Sequence, residues 1–135
     1  MATYLADTSA WNRSTAVADL WQELLDANEV AICTPVRLEL LYSARGGADF
    51  AALANELSSL PELPLDHHAA AIAERTQAAL ATAGQHRGPR PIDLLVAAIA
   101  EAARATVLHY DRHFDAIARV TGQPTRWVAR RGSLD

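Results

Sequence analysis

Four short apolar runs constrain this chain more than any other feature. They are "YLA" at Tyr4–Ala6, "EVAIC" at Glu29–Cys33, "TVLHY" at Thr106–Tyr110 and "TRWVA" at Thr125–Ala129. Each is too short for a core helix and rich in branched or aromatic residues, so each reads as a strand. Helical patterns fill the sequence between them. Short strands alternating with helices point to an α/β fold with a short central parallel sheet flanked by helices. Ligands of such sheets gather at the carboxyl ends of the strands.

The helical stretches have legible ends. Val17, Leu20, Trp21, Leu24 and Leu25 make one apolar face over residues 15–27. Thr34 is expected to cap a helix that has Pro35 in its first turn and that runs through "PVRLELLYSAR" to a stop at Gly46-Gly47. "ADFAALANELSSL" ends before Pro61 and Pro64, with a brief extended piece expected near Leu63 and Leu65. "HHAAAIAERTQAALATAG" stops at Gly84, the basic loop "QHRGPRP" follows, and "PIDLLVAAIAEAARA" starts a new helix at Pro91. "DRHFDAIARV" reads as a short helix before the last strand. No internal linker or repeat interrupts this order, so residues 1–135 read as a single domain, long enough for a real core.

With 50% hydrophobic and 21% charged residues, the composition is that of a globular protein and not of a disordered one. No apolar run approaches the length of a membrane span, and no signal peptide is read at the N-terminus. The single cysteine, Cys33, excludes an intramolecular disulfide and reads as a buried thiol, so a cytoplasmic protein is expected. The chain has no lysine, which removes every mechanism that requires one. A net charge of −4 makes it a poor non-specific binder of nucleic acid. Binding to nucleic acid would require arginine concentrated locally, or metal ions that invert the local charge.

Four carboxylates stand where simple patterning would not put them. Asp7 and Asp111 end predicted strands, Glu39 interrupts "VRLELLY", and Asp93 lies in the first turn of the most apolar helix. Each has an ordinary explanation: a helix cap for Asp111, a favourable dipole for Asp93, an exposed stripe beside Arg37 and Tyr42 for Glu39. Together they are harder to dismiss. If the strands ending at Asp7 and at Asp111 are neighbours, their carboxylates share one edge of the sheet. Clustered carboxylates repel unless a cation lies among them. Hard oxygen donors without cysteine or a histidine pair favour Mg²⁺ or Mn²⁺ over zinc, the ions that activate water in phosphodiester cleavage.

These residues carry a resemblance over nearly the whole chain. "LADTSAW" is similar to the opening of the PIN-domain ribonucleases, "TPVRLELLYSAR" to their second acidic block, and "RPIDLLVAAIAEAARATVLHYDRHFDAIA" to their strongest signature. More narrowly the chain resembles the VapC-type toxins of bacterial type II toxin–antitoxin pairs. The resemblance implies a PIN-like three-layer fold and a metal-dependent endoribonuclease with Asp7, Glu39, Asp93 and Asp111 as its acidic quartet. Asp7 and Asp93 would be the principal Mg²⁺ ligands, Mn²⁺ being able to substitute. Glu39 and Asp111 would complete the site, and Ser9 would hydrogen-bond a carboxylate or a water of the ion. It further implies a structured RNA substrate (transfer or ribosomal RNA), a cognate VapB-type antitoxin whose arginine-containing segment lies across the site, and a homodimer. One departure stands out: relatives often carry Asp directly before the Phe of the last motif, where this chain has His113. That leaves a non-catalytic PIN-fold module that binds RNA or protein as the alternative.

Several other residues have two readings. Arg87 and Arg90, before the Asp93 helix, and Arg112, after Asp111, are candidates for guiding an RNA backbone, because arginine pairs bidentately with phosphate. Arg126, Arg130 and Arg131 read equally as a solvated tail or as an RNA or antitoxin contact. His67 and His68 are adjacent on a helix and point different ways, so they read as surface and not as a metal pair. Trp11, Trp21 and Trp127 read as core or interface. Haloacid-dehalogenase-type phosphatases also place Asp at a strand end, but the second acid of their motif is Ser9 here and the lysine is missing.

Overall fold

The computed structural model describes residues 3–135. Met1 and Ala2, which the expected 1–135 domain includes, lie outside the described residues. Four strands, β1 (Tyr4–Ala6), β2 (Val30–Ala31), β3 (Thr106–His109) and β4 (Thr125–Trp127), form one sheet of order β2-β1-β3-β4. All three pairings are parallel. The helices are α1 (Thr8–Trp11), α2 (Ala18–Asp26), α3 (Thr34–Tyr42), α4 (Gly47–Leu57), α5 (His67–Thr82), α6 (Pro91–Ala103) and α7 (His113–Thr121).

Side chains alternate across the pleat, so each strand feeds two cores. Leu5 and Val107 join Val36, Leu57, Ile72, Leu80, Ile99 and Phe114 on one face. Ala6 and Leu108 join Trp21, Leu24 and Tyr110 on the other. Helices α3, α5, α6 and α7 thus cover one side and α2 the other, the three-layer α/β architecture expected. Trp11 meets Trp21 edge-on at 4.7 Å, and Trp127 packs against His109 and Tyr110. All three tryptophans therefore pack on aromatic neighbours.

Three local expectations are corrected. Thr34 does not cap α3; the extended cap position is Cys33 (φ −135°, ψ 163°), and Thr34 already lies within the first turn. A cap must have non-helical dihedrals for its side chain to reach back to the second or third N–H. The Gly46-Gly47 pair does not stop α3, which ends at Tyr42; Gly47 instead opens α4. The helix expected over residues 15–27 begins as a 3-10 turn at Ser14–Val17, because Val17 leaves helical geometry (φ −122°, ψ 41°) before α2 starts. The extended piece near Leu63 is a single parallel bridge between Ile32 and Glu62, with Ile32 N donating to Pro61 O and Leu63 N to Ile32 O.

The register places the site. Ala6 lies opposite Leu108, and Asp7 N donates to Leu108 O at 2.9 Å. β1 and β3 therefore end side by side, and the carboxylates that follow them emerge at one edge.

Candidate active site

Asp7 is the cap of α1: its Oδ2 accepts from Ser9 N at 3.0 Å. Ser9 Oγ accepts from Tyr110 N at 2.9 Å and so ties the end of β1 to the end of β3. Asp7 is only 3% exposed, and its Oδ1 has no hydrogen-bond partner among the described residues. Burial pushes its pKa from 3.8 up to about 6; the Ser9 hydrogen bonds pull it back, and Asp93 and Glu39 push it further up.

Asp93 is fully buried at the third position of α6, where Pro91 occupies the first turn. Arg90 N donates to its Oδ2 at 2.9 Å and Arg90 Nη2 to its Oδ1 at 3.3 Å. Burial raises its pKa, the Arg90 contacts oppose the rise, and Asp111 adds to it. Glu39 reaches in from the second turn of α3. Thr8 Oγ1 donates to its Oε1 at 2.7 Å, and Arg90 Nη2 stands 3.7 Å from its Oε2. Asp111 is half-buried, and its Oδ1 accepts from His113 N at 2.9 Å at the entry to α7. Asp111 N in turn donates to His109 Nδ1 at 3.1 Å. His109 is fully buried between Phe114 and Trp127, and burial lowers its pKa to about 4. It is therefore neutral, with its proton on Nε2.

A family model described as "PIN domain" matches residues 4–120. The chain is 42% identical to Ribonuclease VapC18 of Mycobacterium tuberculosis over 97% of its own length and 98% of the relative's. It is 40% identical to Ribonuclease VapC51 of the same organism, over 98% and 97% of the two chains. This chain is a PIN domain of the VapC family. Its fold also matches the DNA-bound VapBC of Salmonella typhimurium, with a TM-score of 0.78 at 20% identity over 96% of this chain and all of that one. VapBC2 of Rickettsia felis bound to a promoter fragment gives a TM-score of 0.73 at 20% identity, over 92% of this chain and 97% of that one.

In this PIN domain the four acids named from the sequence lie at one edge of the sheet: Asp93 and Glu39 act on Asp7, Asp111 acts on Asp93, and Glu39 and Asp93 share Arg90. Ser9 touches Asp7 through its backbone and Tyr110 through its hydroxyl. Arg90, with a side chain 60% exposed, contacts Asp93 and Glu39 at the rim of the acidic site. Arg87 and Arg112 are exposed, and so are His67 and His68. Thr8, which follows Asp7 in the turn, supports a ligand by holding Glu39. His109 escaped the sequence reading as a contributor; its one signal is a histidine inside the apolar run "VLHY".

The residues fit a hard divalent cation. The donor set is all oxygen, and the buried, unpartnered Asp7 Oδ1 is a lone acceptor for which burial has a cost. Among the described residues no three acidic, imidazole or thiol side chains already stand together as a ready cage. Mg²⁺ does not need one, because it keeps several waters and binds through one or two carboxylates.

Proposed function

We propose that this PIN domain is a Mg²⁺-dependent endoribonuclease and the toxin of a VapBC-type pair, cleaving structured RNA such as transfer or ribosomal RNA. The observation that carries the reading is Asp7: a nearly buried carboxylate with a free oxygen, facing Asp93 and Glu39 at the carboxyl edge of the sheet. The printed names of its relatives, ribonucleases of the VapC series, support the RNA-cleaving part.

Asp7 and Asp93 would hold the ion, with Glu39 and Asp111 completing the shell, and Mn²⁺ can stand in for Mg²⁺. When bound, the ion lowers the pKa of a water for attack and neutralises charge growing on the phosphate. The chain's own residues set the geometry. Ser9 N fixes Asp7, Thr8 aims Glu39, the Arg90 backbone fixes Asp93, and His109 orients the Asp111 turn. The seating of Arg90 between Glu39 and Asp93 supports a site complementary to a guanidinium, and hence to an arginine of a VapB-type antitoxin. Solved neighbours of this fold are VapBC complexes. The exposure of Leu38 (62%), Tyr42 (92%) and Phe50 (48%) on α3 and α4 supports association with a second copy or with the antitoxin.

The test is cleavage of total cellular RNA by the purified, antitoxin-free protein, with Mg²⁺, with Mn²⁺ and with EDTA, beside Asp93→Asn. Discrete fragments that require metal and vanish in the variant are expected. Folded protein that cuts nothing under either metal would leave the non-catalytic binding module in its place.

A further inference from the structure

Two clefts of about 350 and 240 Å³ adjoin beside Asp111 and share two residues, Arg112 and Arg131. The larger runs between the Gly84–Pro89 loop and α7 and adds His113 and Arg119; the smaller adds Arg13 and Asp111 itself. Four guanidinium groups therefore border one continuous depression that ends at the acidic site. The ion pairs among the described residues engage Arg37, Arg75 and Arg90, and none of these four. Two of them are positioned by aromatic rings instead: Arg13 lies over Tyr110 at 4.8 Å and Arg131 over Trp127 at 5.8 Å. A ring face seats a guanidinium without using its N–H donors. Three carboxylates also line the depression and none forms an ion pair with these arginines: Asp111 accepts from His113 N at 2.9 Å, Asp115 from Trp127 Nε1 at 3.1 Å and Asp135 from Tyr110 OH at 3.0 Å.

We propose that this depression is the seat of the RNA sugar–phosphate backbone on one side of the scissile bond, with Arg112 and Arg131 each taking a phosphate. The inference rests on the ribonuclease reading and says where its substrate lies. It gives a chain of net charge −4 the local arginine cluster that RNA binding demands. It also moves the RNA contacts away from Arg87 and Arg90 to residues that follow β3 and β4. Phosphate contacts of this kind set register on the substrate and carry no base specificity.

The experiment measures binding of a short fluorescein-labelled single-stranded RNA to full-length Asp7→Asn protein, by anisotropy across a salt series. Asp7→Asn keeps the RNA intact during the measurement. Adding Arg112→Gln and Arg131→Gln is expected to lower the slope of log K against log salt by about 1.4, two contacts at ~0.7 each, and to weaken binding ~25-fold at 0.1 M salt. Arg104→Gln, at the opposite end of β3, is expected to leave both unchanged. An unchanged slope in the double variant overturns the proposal, as does an equal loss in Arg104→Gln, which would indicate a net-charge effect. Retained RNA binding with lost affinity for a VapB-type antitoxin overturns it as well and assigns the cleft to that partner. Cleavage by the protein with native Asp7, run in parallel, separates the two readings. Metal-dependent cutting with an unchanged slope removes only the cleft assignment, whereas absence of cutting removes the ribonuclease reading itself.

Discussion

Replacing Asp7 with asparagine is expected to change how the stability of the metal-free protein depends on pH. The carboxylate is 3% exposed, and its pKa is raised from 3.8 to about 6, chiefly by burial. The folded state thus holds this proton more tightly than the unfolded chain does. Its contribution to stability is complete below pH 3.8 and is lost as pH rises through about 6. At about 1.4 kcal/mol per pKa unit, the loss is about 3 kcal/mol, of which ~2.5 kcal/mol falls between pH 4 and pH 8. That corresponds to roughly 10 °C in melting temperature for a chain of this size.

Asparagine has nearly the same shape and does not titrate. Its amide nitrogen, placed where Oδ1 has no partner, costs about 1–3 kcal/mol, but at every pH alike. The informative quantity is therefore the stability of the native chain minus that of Asp7→Asn, followed by urea unfolding in EDTA from pH 4 to pH 8. The difference is expected to fall by ~2.5 kcal/mol across that window, with its midpoint between the two pKa values. Saturating Mg²⁺ is expected to abolish most of the fall, because a cation at the carboxylate favours its charged form. A difference constant to within ~0.5 kcal/mol would refute the reasoning, since Asp7 would then be as well solvated folded as unfolded.

Thr8→Val removes the 2.7 Å donor to Glu39; a cost of about 1.5–3 kcal/mol in stability, read by urea unfolding, and a fall in kcat at nearly unchanged KM are expected. Arg90→Gln releases Glu39 and Asp93 from a guanidinium that is 60% exposed, so calorimetry is expected to show Mg²⁺ binding about two- to fivefold tighter, the equivalent of an exposed pair worth ~0.5–1 kcal/mol. Cys33 is fully buried with its pKa pushed up to about 12, so an aromatic disulfide reagent at pH 8 is expected to label it only as fast as the chain unfolds; immediate labelling of native protein would contradict the packing.

The legible parts of the site are those whose signal is local. Asp7 was visible because an apolar run stops at a carboxylate, and Asp93 because Pro91-x-Asp93 opens a helix. Glu39 was visible as an acid among leucines and Thr8 as a support for the site, but their pairing was not, because the two meet across 31 residues of chain. Arg90 reads locally as a basic loop residue, yet its side chain is drawn inward by a carboxylate from α3 that only the fold brings near. Arg112 and Arg131 were each legible as candidate RNA contacts, but their meeting in one cleft was not, because α7 and β4 separate them in sequence and fold back to join them. The missed boundaries run against the local signals: Cys33, which has no capping side chain, takes the cap position in place of Thr34, and α3 ends at Tyr42, before the glycines, which instead open α4.

The topology explains why the acids had to converge. β1 and β3 are parallel neighbours, so whatever follows each strand appears at the same edge, Asp7 after one and Asp111 after the other. Only Arg104 and Ala105 separate α6 from β3, with Arg104 left-handed at φ 57°, so the helix runs back against the strand that follows it. Its N-terminus then lies at the edge where β3 ends, which puts Asp93 beside Asp111. The positive end of α6 favours Asp93 there, but only in part, because burial still raises its pKa. α3 follows the end of β2 at the same edge and brings Glu39 in. Three β–α connections thus deliver Asp7, Glu39 and Asp111 to one edge, the start of α6 adds Asp93, and a single guanidinium, Arg90, partly offsets their charge. The remaining imbalance is the physical ground for the proposed cation site: stability forgone at Asp7 in the metal-free protein would be regained on binding an ion.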